Sequence, residues 1–257
     1  MDLLDILREH WMALRLYERR CAACHVPFTP RSSTDAPFCP SCLAAIVANP
    51  HPSCRLCGQR LEAASGDLCG ECLRTPPPWD NFLMLGPYKG LLRETILQAK
   101  FHNDLALLDA LGRLLAGKIL ATGSLAPGRT YCVVPMPVHT RRLQERGFSQ
   151  CLEIGRRLAR DLDLPLMPAL LCKIRDTPSQ RTLSRKERLH NVARSFAADP
   201  DVAGRHILLL DDVMSTGATV RHAAASLLEQ GAASVFAVVL SRDWLDQKAC
   251  QAEPKQL

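Results

Sequence analysis

Residues 207–219 read Ile-Leu-Leu-Leu-Asp-Asp-Val-Met-Ser-Thr-Gly-Ala-Thr, and this stretch constrains the fold more than any other. The apolar run Ile207–Leu210 reads as a buried strand that ends in Asp211 and Asp212. A loop carrying Ser215, Thr216, Gly217 and Thr219 follows. From Ala218 onward Val220, Ala223, Ala224, Leu227 and Leu228 recur at helical spacing. A strand, an acid pair, a hydroxyl-rich loop and a helix N-terminus, in that order, form the layout of a ligand crevice at the strand ends of an open α/β sheet. Free backbone N–H groups and the helix dipole at such a place favour an anion, and Gly217 lets the backbone come close to it. Two carboxylates would repel a phosphate, so their partners are sugar hydroxyls and a divalent cation. A phosphorylated ribose fits this chemistry.

The rest of the C-terminal two thirds alternates in the same way. An apolar segment at Phe82–Leu85 precedes helical patterns at about 91–99 and 104–120. A buried strand is expected at Tyr131–Met136 and a helix at about 149–162. Short apolar stretches at 166–171 and strands at 207–210 and 235–240 complete the series. The expected fold class is therefore α/β, a mostly parallel sheet flanked by helices.

Two further segments carry charge where such a sheet places its ligands. Pro135 and Met136 end the 131–136 strand, and Arg141, Arg142 and Arg146 follow, a guanidinium cluster suited to a pyrophosphate. Residues 175–191 are polar and basic between core elements, and are expected to close over a leaving group. Residues 141–196 hold thirteen Lys/Arg against six Asp/Glu, a surplus of seven beside the net +6 of the whole chain. A polyanionic ligand suits that local excess.

Cysteine use divides the chain. Eight of the twelve cysteines form four C-x-x-C pairs: Cys21/Cys24, Cys39/Cys42, Cys54/Cys57 and Cys69/Cys72. Each pair places two thiolates on one turn, half of a tetrahedral zinc site, so four pairs can hold two structural Zn2+ ions. Sequential ribbons, favoured by the short loops within each site, would join the first pair to the second and the third to the fourth. A cross-brace would join the first to the third. Few large apolar residues occur here, so metal is expected to supply most of the folding energy of the segment. His25 and His51 read as bystanders, and Cys132, Cys151, Cys172 and Cys250 as ordinary core or surface residues. The stiff run Thr75-Pro-Pro-Pro78 sets the expected boundary. The expected divisions are an amphipathic helix over 1–20, striped by Leu3, Leu4, Leu7, Trp11 and Leu14, a double zinc-ribbon module over 21–75, and an α/β domain over 76–257. The acidic start of the chain lacks a signal-peptide pattern, and no segment reaches membrane-span length, so membrane insertion is not expected and a cytoplasmic location is.

The Asp-Asp loop resembles the phosphoribosyl pyrophosphate (PRPP) loop of type I phosphoribosyltransferases, and the proline/arginine stretch resembles their pyrophosphate loop. The order of paired C-x-x-C motifs, Lys100-Phe101-His102, Pro135-Met-Pro137, Arg146-Gly-Phe-Ser-Gln150, Thr177-Pro-Ser-Gln180, Leu183-Ser184 with Arg188 and Asn191, and the Asp-Asp loop resembles the ComF family, GntX-type proteins included. The resemblance spans about residues 20–241. It implies PRPP held with Mg2+ by Asp211, Asp212, Ser215, Thr216, Gly217, Ala218 and Thr219. It further implies pyrophosphate contacts from Pro135, Met136, Arg141, Arg142, Arg146 and Lys100. It also implies a link to bacterial DNA uptake or use, with single-stranded DNA and DNA-uptake proteins as partners. Phosphoribosyl transfer, single-stranded-DNA handling and PRPP sensing all stay open at this level. Only about seventeen polar residues follow the last expected strand, so any acceptor site is expected from the N-terminal side. Trp79, Phe82 and Tyr88 there could stack a base, although a role in domain-interface packing is the commoner one.

Overall fold

A computed structural model describes residues 18–30, 36–62, 66–138, 147–174 and 195–244. The stripe Leu3–Leu14, the cluster Arg141, Arg142 and Arg146, the segment 175–191 and Cys250 lie outside the described residues.

Four parallel strands form the central sheet: β3 (Asn81–Pro87), β4 (Tyr131–Pro135), β7 (His206–Met214) and β8 (Ser234–Arg242), in the order β3-β8-β7-β4. The sequence in these strands is nearly all apolar because both faces are covered, so alternation sorts residues between two cores and not between core and water. Leu83, Leu85, Val133, Leu208, Leu210, Phe236 and Val238 enter one core. Met84, Cys132, Val134, Ile207, Leu209, Val235, Ala237 and Val239 enter the other.

Helices α3 (Gly90–Phe101), α4 (Leu105–Thr122) and α5 (Gln150–Leu162) pack on the first face. Their ends are written in the chain. Asp104 caps α4 by accepting from Leu107 N at 3.0 Å, and Ser149 caps α5 by accepting from Leu152 N at 3.4 Å. On the second face lie α6 (Ala218–Glu229) and the hairpin of β5 (Leu171–Lys173) with β6 (Phe196–Ala198). Of the apolar stretch 166–171, Leu166 makes a single parallel bridge to Val133, Pro168–Leu170 is a 3-10 turn and Leu171 opens β5.

The cysteine-rich segment folds against this sheet on both sides of its edge strand. Its first half has β1 (Arg19–Arg20) paired with β2 (Pro27–Phe28), then α1 (Pro40–Val47). Cys21, Cys39, Cys42 and Ile46 belong to the same core as Leu83, Leu85 and Leu92. The second half, with α2 (Gly70–Arg74), has a small core of its own around Cys54, Leu61 and Cys72. It reaches the sheet at Gly58, where a φ of 69° and side-chain atoms of Phe82 and Met84, 2.6 and 2.9 Å from where a Cβ would stand, leave room for glycine only. Arg221 of α6 donates to the carbonyls of Thr75 and Pro76 at 3.1 and 3.0 Å, which pins the proline-rich connection to the α/β core.

Candidate functional site

Sequence reasoning ended the central strand at Leu210. The structure corrects this: β7 continues to Met214, held by β8 through the pairs Asp211↔Val239, Val213↔Ser241 and Met214↔Arg242. Its other neighbour stops early. β4 pairs with β7 only as far as Pro135↔Leu210, with one more bond from Met136 N to the Leu210 carbonyl at 2.7 Å. Among the described residues, Asp211 and Asp212 therefore sit on a strand whose β4-side edge has no strand partner. The open edge comes from this difference in strand length, and apolar patterning could not show it because the extension is polar.

Pleating starts the two side chains on opposite faces of the sheet, but their carboxylates come close to each other. Asp211 follows Ile207 and Leu209, and meets Cys151 at the start of α5, whose Sγ donates to Asp211 Oδ1 at 3.6 Å. Asp212 follows Leu208 and Leu210, and meets Lys100 near the end of α3, with Nζ 4.0 Å from Oδ2. Each carboxylate accepts the amide of the next residue, Asp212 N at 2.9 Å and Val213 N at 2.7 Å. Burial, then the charge of Asp212, pushes Asp211 up to about 7. Burial and both acids push the Cys151 thiol well up. Ligand atoms of Cys151, Asp211 and Asp212 lie within 4.8 Å of one another. A crowded pair of carboxylates that resists full ionisation is a place where a cation or a sugar hydroxyl relieves repulsion.

The loop after β7 leads straight into α6. Gly217, at φ 78°, is the left-handed residue that turns the chain into the helix, and Thr216 Oγ1 accepts from Ala218 N at 3.3 Å. Ser215, Thr216 and Gly217 thus sit at the N-terminus of a twelve-residue helix, beside the acid pair. Pro135 and Met136 end β4 at the point where its pairing with β7 stops. Tyr88, just beyond β3, lies under the Arg93 guanidinium at 5.7 Å, and burial raises its hydroxyl pKa, with the charge of Asp212 adding to the effect.

The structure also brings together what the cysteine spacing offered. Cys21, Cys24, Cys39 and Cys42 form one cluster and Cys54, Cys57, Cys69 and Cys72 another, with the sulfurs of each within 4.8 Å of one another, in the sequential arrangement. All eight are free thiols; Cys24 and Cys39 Sγ are 3.8 Å apart and Cys57 and Cys69 Sγ 3.6 Å. Cys39 is held down to about 6, first by the Cys42 backbone N–H, while burial pushes Cys42 up. Cys54 is drawn down to about 4 by the Cys57 thiol, and that same pairing pushes Cys57 far up. In each cluster the thiols differ in how readily they ionise, and a cation bound by four sulfurs would take them as thiolates. Four sulfurs in reach of one another fit a tetrahedral zinc site, and either cluster could hold one such ion.

Two residues at this site were missed by sequence reasoning. Cys151 passed for an ordinary core cysteine, since nothing in its spacing links it to residue 211. Arg242 went unread because a charged residue at a strand end is normally exposed, yet it is 4% exposed here. Trp79 and Phe82, considered as base-stacking residues, are interface residues: Trp79 Nε1 donates to the Leu56 carbonyl at 2.6 Å, and Phe82 abuts Gly58.

A model of the phosphoribosyl transferase domain matches residues 149–256. The DNA utilization protein YhgH of Escherichia coli (strain K12) is 36% identical over 194 residues, 74% of this chain and 83% of that protein. Competence protein F of Haemophilus influenzae is 29% identical over 214 residues, 80% of this chain and 90% of its own length. Competence protein ComFC of Bacillus subtilis is 28% identical over 215 residues, 81% and 85% of the two chains. The chain belongs to the ComF family. As a ComF protein it joins a phosphoribosyltransferase domain to two four-cysteine clusters. Among the described residues no helix is long and apolar enough to cross a membrane.

Proposed function

We propose that this ComF protein binds PRPP with Mg2+ in the β4/β7 crevice and transfers its phosphoribosyl group with release of pyrophosphate, in the service of DNA uptake or use. The observation that carries this reading is the acid pair on the β7 edge that β4 leaves beyond Leu210, flanked by Lys100 and by the Gly217 entry to α6. Ser215, Thr216, Gly217, Ala218 and Thr219 would hold the 5′-phosphate, largely through backbone N–H groups. Asp211 and Asp212 would hold the ribose hydroxyls, directly or through the cation. Lys100, with Pro135, Met136, Arg141, Arg142 and Arg146, would hold the pyrophosphate. Mg2+ would neutralise charge on the leaving oxygens. In the transfer the C1–oxygen bond to pyrophosphate breaks as a bond from the acceptor forms, and Lys100 and the arginines stabilise the departing charge. The eight cluster thiols would carry structural Zn2+, a use of cysteine that suits the reducing cytoplasm. The names of the relatives support the DNA connection.

Two measurements test the reading. Calorimetry should show MgPRPP binding to the full chain, weakened by about a hundredfold or more in Asp211→Asn plus Asp212→Asn, since hydrogen bonds to charged groups are lost at both positions; unchanged affinity sinks the site assignment. Incubation with MgPRPP, with and without a single-stranded oligonucleotide, should release pyrophosphate when an acceptor is present. Salt-sensitive DNA binding without release would make the protein a DNA-handling one that keeps PRPP as a regulator.

A further inference from the structure

Three consecutive carbonyls of the second cysteine knuckle are each met by a side-chain N–H from the α/β domain. Trp79 Nε1 donates to Leu56 O at 2.6 Å, Arg242 Nε to Cys57 O at 3.0 Å and Trp244 Nε1 to Gly58 O at 2.9 Å. The middle donor reaches further. Arg242 Nη2 donates to Gln59 Oε1 at 3.3 Å, and Nη1 donates to Met214 O at 3.1 Å and Asp243 O at 2.7 Å. One buried guanidinium so joins the knuckle to the last residue of β7.

Met214 is the floor of the hydroxyl loop. It is 2% exposed, its carbonyl also accepts Asp243 N at 2.9 Å, and its Sδ lies 3.4 Å from where a Cβ on Gly217 would stand. A shift of Met214 therefore moves the turn into α6. Around Arg242 stand four groups that are negative when ionised, Cys57, Asp243, Glu71 and Cys69. Two of these are ligands of the second cluster, and a dication held by four thiolates keeps a net negative charge beside the guanidinium. The first cluster has a different attachment: Cys21, Cys39 and Cys42 enter the apolar core of the opposite sheet face.

We infer that Arg242 is a positioning residue that makes the geometry of the Ser215–Thr219 loop depend on the metal-loaded second cysteine cluster. This rests on the PRPP reading of that loop. The test uses the full chain and MgPRPP. Arg242→Met should keep two metal ions per chain, by elemental analysis, and native circular dichroism, yet bind MgPRPP about tenfold more weakly, the loss of about one charge-assisted hydrogen bond. Arg242→Lys, which retains the cation and a donor, should recover part of that loss. Cys69→Ser, which removes a ligand of the second cluster, should weaken binding similarly, and adding Arg242→Met to it should weaken binding little further. Arg242→Met with both metals bound and affinity within about twofold of wild type overturns the inference, as does full additivity of the two substitutions.

Hydrogen exchange read without ligand separates this inference from the PRPP reading. The amides of Gly217 and Ala218 should exchange faster in Arg242→Met, or in Arg242→Lys should the first variant not fold. Unchanged protection there overturns the coupling, whereas absence of MgPRPP binding by the wild-type chain overturns only the assigned ligand.

Discussion

The two cysteine clusters are built from the same motif at similar spacing, yet they join the protein by different forces. The first is glued. Ile46 of α1 is fully buried, and three of the four cluster cysteines share a core with α3, α4 and β3. The second is tethered. It has its own small core of Cys54, Leu61 and Cys72, only Cys57 of its cysteines packs on the second-face core, and directed N–H donors from Trp79, Arg242 and Trp244 hold it. Apolar burial is indifferent to small rearrangements, whereas hydrogen bonds to three successive carbonyls require the knuckle to keep its shape. The second cluster is thus the one whose shape the α/β domain meets through directed bonds.

Chelation should split the two most widely. A strong chelator at neutral pH should release the knuckle 54–72 as a unit and expose Trp79 and Trp244. Tryptophan emission in a Trp11→Phe background should move to the red, while protease cuts within 39–47 lag behind cuts within 54–72. Equal cleavage of both segments would erase the distinction. Next in size is Ile46→Ala, which removes the apolar anchor of the first cluster and should cost about 3 kcal/mol in denaturant unfolding. Trp79→Phe, which keeps the apolar bulk and deletes only the donor to Leu56, should cost about 1 kcal/mol and act locally, visible as faster amide exchange around 55–61.

The acid pair offers a third anionic group to set beside the clusters, with an effect of opposite sign. Asp211 is raised to about 7 from an ordinary carboxyl value, so the folded chain binds its proton more tightly than the unfolded chain does. Its contribution to stability is present at acid pH and is lost as pH rises through 7. Asp211→Asn should therefore stabilise the ligand-free protein at pH 8, with a gain that shrinks steadily as pH falls towards 4, followed by melting temperature across that range. A gain independent of pH would show that the carboxylate is already relieved in the free protein.

The sequence made some of this legible and hid the rest for physical reasons. Strand and helix positions showed through because a doubly covered sheet writes itself as unbroken apolar runs, as in Ile207–Leu210 and Val235–Leu240. Cysteine pairing was close to legible, since short loops favour neighbouring knuckles. The reach of β7 beyond Leu210 was not, because Asp211 and Asp212 are polar and the apolar run that marks a covered strand stops before them. Cys151 and Arg242 were invisible for a related reason. Their roles rest on partners 60 and 185 residues away in the chain, and nothing local distinguishes a core thiol or a strand-end arginine from one that holds a site together.

β3 lies at the margin of the sheet, with the cysteine-rich segment folded over it from both faces and the Lys118 ammonium on its Leu85 carbonyl at 2.9 Å. A margin of Phe82, Leu83, Met84 and Leu85 without that cover is a template on which other chains can add strands. The cover over β3 then bears on more than the acid-pair site. If the clusters hold zinc as proposed, newly made chains that have not acquired it would carry an open, sticky margin, and the cover over β3 would also guard the protein against aggregation.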